Sequence, residues 1–308
     1  MKIVVTGATG FVGSNVVNKL KEHGDITVVA RNISKAQVLF KNSVKTHKGD
    51  LLNYQSLLNA FGGQDVVVHI AGLIKSFNIN RFYGVNAIGT RNVAKAARNA
   101  GVKRVIYLSS LAARGPLETM SPVSNYGASK LKGELEILRY INDYDIKILR
   151  PPIIYGPNET DLFLMFKSAK FGRLPVMRNK YFSFIYVKDL ADAIDSLVFS
   201  KIDKPSVYHI SDGNAYSWQT VADAIFNAMN VRGHTIKISY PIVDFVAFFS
   251  YFMKDRALFT LDKLGEIAAD RWTCGYDKLN QDTGFLPEND INLGFQKTVE
   301  WYRSNGWL

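Results

Sequence analysis

Tyr126-Gly127-Ala128-Ser129-Lys130 sets a phenol and an ammonium four residues apart. On a helix that spacing puts both groups on one face. Free tyrosine titrates near ~10, out of reach of neutral pH. A neighbouring cation stabilises the phenolate and lowers that value. Tyr126 could then give a proton to a carbonyl oxygen as hydride arrives, or remove one from an alcohol in reverse. Lys130 would tune it and could also hydrogen-bond the ribose of a nicotinamide. Taken alone the pair is common on helices. Its weight comes from what precedes it in the chain.

That context begins with Val5-Thr6-Gly7-Ala8-Thr9-Gly10-Phe11-Val12-Gly13, which ends an expected strand and opens an expected helix. Gly7 permits a tight turn, Gly10 lets backbone approach a pyrophosphate, and Gly13 lets helix and strand pack closely. The helix start presents unpaired N–H groups to the phosphates. Thr9, Phe11 and Val12 lie between these glycines and belong to the same cofactor loop. After the second strand, Ala30-Arg31-Asn32 carries no carboxylate for a ribose 2′-OH, and Arg31 could face a 2′-phosphate. This favours NADP(H), with NAD(H) possible; the alternative is that Arg31 is only a solvated loop residue. Asp50-Leu51 could sit against the adenine, and the small Ala71 and Gly72 leave room for the cofactor. His69, on an apolar strand, reads as a core histidine rather than a catalyst. Ser109-Ser110 closes the fifth strand, where one hydroxyl could hold a substrate oxygen.

The elements that must position these groups alternate. Expected strands are 2–6, 26–30, 44–47, 65–70, 104–109 and 146–149, with helices at 12–22, 54–60, 89–100 and 128–142. Nearly continuous Val/Ile runs between helices imply a parallel sheet covered on both faces, the doubly wound, Rossmann-type α/β architecture. Pro151-Pro152 and Gly156-Pro157 break the pattern. Further on, 188–200, 218–229 and 295–304 read as helices, and 206–210 as a strand returning to the sheet. The expected division is a dinucleotide-binding domain of 1–152 plus about 183–212. A smaller, discontinuous α+β substrate domain takes about 153–182 plus 213–308.

Composition excludes other classes. The chain has 308 residues, 47% hydrophobic and 21% charged, which is ordinary globular composition. Cys274 is the single cysteine, so no internal disulfide forms, and no metal site is expected. The start of the chain shows no charged-then-apolar leader, and a cytoplasmic protein is expected. The net charge of +11 has no aromatic-interleaved basic motif beside it, so a small-molecule substrate and an anionic cofactor are expected rather than nucleic acid. The apolar run Ile242–Phe252 is too short to span a bilayer. It could be a core helix, line an apolar pocket, or make peripheral membrane contact with Lys254 and Arg256 beside it.

At this point the sequence resembles the extended short-chain dehydrogenase/reductases, the NAD-dependent epimerase/dehydratase family. The resemblance covers Thr6–Gly13, Gly49–Leu51, His69–Gly72, Asn86 with Gly89-Thr90, Ser109-Ser110, Tyr126–Lys130, Arg150–Pro157 and Phe184–Leu190. It implies a catalytic set of Tyr126, Lys130 and a serine five residues before a glycine, which from Gly115 is Ser110. It adds Asn86 to the cofactor-binding residues and suggests a homodimer. Dehydratases of this family carry Asp-Glu after the serine; Leu111-Ala112 here cannot transfer protons. Members acting on nucleotide-diphosphate sugars place an Asn and an Arg where this chain has Ile153 and Phe182. Those two residues mark the expected substrate pocket and suggest an apolar one, although Lys180, Arg173 or Arg178 could compensate. The leading expectation is an NAD(P)-dependent oxidoreductase passing hydride between NADP(H) and a ketone or secondary alcohol with an apolar portion. The alternatives are a nucleotide-diphosphate-sugar epimerase with retained cofactor, and a non-catalytic NAD(P)-binding sensor or assembly protein.

Overall fold

The structure is a computed structural model describing residues 1–119, 121–238 and 261–308. The apolar run 242–252 and its neighbours Lys254 and Arg256 lie outside the described residues. Six strands form in the first half: β1 (Lys2–Thr6), β2 (Asp25–Ala30), β3 (Lys45–Lys48), β4 (Val66–His69), β5 (Arg104–Leu108) and β6 (Asp145–Arg150). A later strand, Ser206–His209, pairs with β6 and completes a seven-stranded sheet, parallel at every pairing. From β6 the order continues β5-β4-β1-β2-β3. It reverses between β1 and β4, which opens a crevice at their carboxyl ends.

Burial on both faces explains the β-branched runs. Val4 packs on one side of the sheet and Ile3 and Val5 on the other. Only β3 is poorly buried, and its lysines suit an edge strand. Helix α1 (Phe11–Leu20) packs with α8 (Val187–Phe199) on one face. On the other face α3 (Tyr54–Phe61) packs with α5 (Thr90–Asn99). Two further helices, α2 (Ile33–Phe40) and α4 (Ile79–Tyr83), are not apparent from apolar periodicity; each starts at an asparagine cap. His69 is a core side chain. It bonds the hydroxyls of Thr6 (2.7 Å) and Thr90 (3.0 Å), and burial beside Lys130 holds it neutral with a pKa near 3.

The second half has its own aromatic core, with Tyr155, Phe166, Phe184, Phe295 and Tyr302 buried together. Its strands are short: β7 (Ile153–Tyr155), β8 (Arg173–Val176), β9 (Tyr181–Phe182) and β10 (Phe184–Tyr186). Strands of two to four residues are too brief to show an alternating pattern. Among its helices are α7 (Phe163–Ala169), α9 (Trp218–Met229) and a helix at Leu261–Ala268.

Candidate active site

A cleft of about 1160 Å³ opens at the carboxyl ends of β1, β4 and β5. Gly7, Thr9, Gly10, Phe11, Val12 and Gly13 line one end. Gly7 sits at φ +79°, and a Cβ there would lie 2.5 Å from the Ala71 nitrogen. A Cβ on Gly13 would come 2.1 Å from the Gly7 carbonyl oxygen. The loop therefore has no room for side chains at these positions. Gly10 caps α1 without any side-chain hydrogen bond, and the first turn holds no acid. Its amides are left for an anion arriving from the cleft. Gly13→Ala should lower stability by about 1–3 kcal/mol and weaken dinucleotide binding at least tenfold; thermal denaturation and a fluorescence titration with NADPH check both.

Arg31, Asp50, Leu51, Ala71 and Gly72 all line the same end. Lys35 joins Arg31 there; sequence reasoning missed it because α2 itself went unseen. Asn86 stands one layer behind. Its amide accepts from the Leu73 nitrogen (2.7 Å) and donates to the Leu73 carbonyl and the Ser129 hydroxyl. It braces the loop that carries Ala71 and Gly72, and is not itself among the lining residues.

The chemical groups lie mid-cleft on α6 (Asn125–Leu138). The helix begins three residues before the expected 128 because its first-turn amides are capped from two sides. Ser124 accepts from the Gly127 nitrogen at 3.0 Å. Asp262, on the Leu261–Ala268 helix, accepts from the nitrogens of Asn125 (2.6 Å) and Tyr126 (3.0 Å). Ser124 in turn donates to Glu266, which lines the cleft. Tyr126 is thus inside the first turn, half-buried against Phe82.

Lys130 follows on the same face, 3% exposed, donating to the Leu108 carbonyl (2.6 Å) and lying 4.3 Å from the Tyr107 ring centre. Burial pulls its pKa down to about 7, against the opposing pull of Glu134 one turn further. Glu134 is buried with Arg150, whose Nε and Nη2 donate to its two oxygens, and it also accepts a hydrogen bond from the Ser109 hydroxyl. Ser109 also lines the cleft, but its hydroxyl is spent on that carboxylate. Ser110, on the cleft wall, accepts from the Ala112 nitrogen at 3.2 Å.

Beyond these groups much of the wall is apolar, with Asn80, Arg81, Glu159 and Asp161 also lining the cleft. Ile153 and Phe182 line it with Trp218, Trp272, Leu162 and Met177, and the Phe182 ring lies tilted against Trp218 at 4.8 Å. The basic residues that could have compensated lie elsewhere. Lys180 bonds Asp270 and the Ala268 carbonyl, and neither Arg173 nor Arg178 lines the cleft. Lys75, which does line it, is paired with Asp161.

A glycine-bounded helix start at the switch point of a doubly wound sheet, with tyrosine and lysine on one helix face behind it, defines a dinucleotide-dependent enzyme. The sequence profile of the NAD dependent epimerase/dehydratase family matches residues 3–211, and the chain belongs to that family. It is an enzyme of the dehydrogenase/reductase or epimerase kind. A ceramide reductase of Caulobacter vibrioides is 31% identical over 99% of this chain and 96% of its own. A UDP-glucose 4-epimerase of Vibrio cholerae is 27% identical over 97% and 94%. The solved structure of MoeE5 in complex with UDP-glucuronic acid and NAD has the same fold, with a TM-score of 0.80 at 20% identity over 99% of this chain and 100% of that one. No helix among the described residues is long and apolar enough to cross a membrane.

Proposed function

We propose that the protein is an NADP(H)-dependent reductase, or in reverse a dehydrogenase, acting on a ketone or secondary alcohol in an apolar molecule. One observation carries this reading: Ile153, Phe182, Trp218, Trp272, Leu162 and Met177 give the cleft beyond Tyr126 a largely apolar wall, with Arg81, Glu159, Asp161 and Glu266 as its polar lining. A pyrophosphate placed against that apolar wall would lose hydration without regaining charge-assisted bonds from it, each worth about 1.5–3 kcal/mol. An alkyl chain loses nothing. The relative named ceramide reductase fits an apolar substrate. In this reading residues 1–152 with about 183–212 hold the dinucleotide, and about 153–182 with 213–308 hold the substrate.

The glycine loop fits a dinucleotide, since its backbone excludes side chains and α1 offers uncapped amides. When bound, the nicotinamide supplies the hydride. Tyr126 gives its phenolic proton to the substrate oxygen, and the Ser110 hydroxyl donates to the same oxygen. Lys130, held against the Leu108 carbonyl, stabilises the phenolate left behind until solvent returns the proton. Arg31 and Lys35 give the 2′-phosphate two cations.

The test follows NADPH oxidation with aliphatic ketones of increasing length. Each buried methylene contributes about 0.8 kcal/mol, so kcat/KM should rise roughly fourfold per carbon until the cleft is filled. Conversion of a UDP-sugar without net NADPH consumption would replace this reading with epimerisation. Arg31→Asp should reduce the preference for NADPH over NADH about 10- to 100-fold, the effect of one charge-assisted bond.

A further inference from the structure

The segment from Leu162 to Met177 leaves the cleft wall and returns to it, since both end residues line the cavity. Between them α7 runs out, the chain turns at Lys170-Phe171-Gly172, and β8 runs back. Its inner side is held firmly: Phe166, Ala169, Leu174 and Val176 are buried in the aromatic core. The outer side is different. Leu164, Lys167 and Ser168 are exposed together on α7, and Phe171 is exposed in the turn that follows it. Phe171, at the tip, is 81% exposed.

The neighbouring strand, His234–Lys237, extends the same surface. It pairs with β8 in parallel register, Arg173 beside His234 and Pro175 beside Ile236, and all four are exposed. Arg232 is exposed next to the Gly172 turn, with its carbonyl close to that glycine. Lys167, Lys170, Arg173, Arg232 and Lys237 therefore surround Leu164, Phe171, Pro175 and Ile236. Residues 162–188 contain no Asp or Glu at all. Of the flanking acids, Asp161 is paired with Lys75, and Asp223 on α9 accepts from Gln219.

We infer that this excursion docks the protein on the surface of an anionic phospholipid membrane. An exposed aromatic tip with aliphatic neighbours enters the headgroup region, and the ring of cations meets lipid phosphates and a negative surface potential. A nucleic acid would satisfy the cations but leave Phe171, Leu164 and Ile236 without an apolar medium. Both roots of the excursion lie in the apolar wall of the cleft, so docking brings that wall to the bilayer surface. The consequence for catalysis, delivery of a lipid-borne substrate, rests on the proposed reductase function; the docking itself does not.

Flotation of the full chain with vesicles, without cofactor or substrate, tests the inference. Binding is expected to phosphatidylcholine vesicles containing about one-third phosphatidylglycerol, and not to pure phosphatidylcholine. The double variant Lys170→Glu/Arg173→Glu should lower partitioning at least about tenfold, and Phe171→Ala several-fold. Both variants should keep wild-type turnover of a soluble short ketone. Phe171→Trp should show blue-shifted emission on anionic vesicles, placing the tip in lipid even if the charge variants express poorly. Absence of vesicle binding by the wild type, equal binding to neutral vesicles, or tight RNA binding with none to vesicles would overturn docking. Loss of ketone reduction alone would sink the reductase reading and leave docking standing.

Discussion

Tyr126→Phe is expected to fold normally, bind NADPH as the wild type does, and turn over about a thousandfold more slowly. The ring stays, so the contact with Phe82 and the packing against the small-half core are kept. The backbone nitrogen stays as well, and with it the bond to Asp262 that fixes the first turn of α6. What leaves is the hydroxyl. General acid–base groups contribute about 10²–10⁴ in rate, and in the proposed function the transferred proton comes from this hydroxyl. Single-turnover rates at saturating NADPH, set beside dinucleotide affinity from fluorescence titration, check the two halves separately. Full activity in this variant would end the assignment of Tyr126 as the proton donor.

Lys130→Met should be equally damaging to turnover, again by about a thousandfold, because in the proposed function it removes the charge that stabilises the phenolate. Its effect on stability should have the opposite sign. In the folded chain without ligands the ammonium is buried against the Leu108 carbonyl, the Tyr107 ring, neutral His69 and, further off, Glu134. Its pKa there is about 7, below the usual 10.5. Between those values the unfolded chain binds more protons than the folded one, so stability rises with pH across that window. Below pH 7 both states are charged and the whole penalty for burying the cation is present. Replacing it with methionine removes that penalty, offset by a carbonyl left without its donor. Ligand-free Lys130→Met should therefore melt about 5 °C or more above the wild type at pH 6, with the gain shrinking toward pH 10. A uniform Tm shift at every pH would contradict the buried-cation account.

The parts legible in sequence share a physical reason. Strands buried on both faces must be continuous apolar runs, and β1, β2, β4 and β5 announce themselves that way. The glycines at 7 and 13 are read from sterics alone, and in the fold the backbone of Ala71 and of Gly7 itself leaves no room for a Cβ there. Tyr126 and Lys130 follow from helix geometry. The illegible parts depend on distance along the chain. Asp262 caps the catalytic helix from 136 residues away, and Glu266 reaches Ser124 from 142. No spacing pattern encodes such contacts. Between Ser109 and Ser110, neither residue type decides. Glu134 separates them, by accepting a hydrogen bond from the first serine's hydroxyl within the buried pair with Arg150. Asn86 matches a motif, yet its amide is spent on Leu73 and Ser129.

That buried carboxylate and guanidinium also constrain how the sequence can drift. Removing one member of a buried pair strands the other charge and destabilises a protein by about 3–5 kcal/mol, whereas exchanging both for apolar residues is often neutral. Positions 134 and 150 are therefore epistatic: a lineage reaches an uncharged version only by crossing a poorly folded intermediate or by changing both codons together. Since the same carboxylate orders the end of β5 beside the reacting groups, even a stable double replacement would inherit a loosened serine wall. Stability and turnover close the same evolutionary exit.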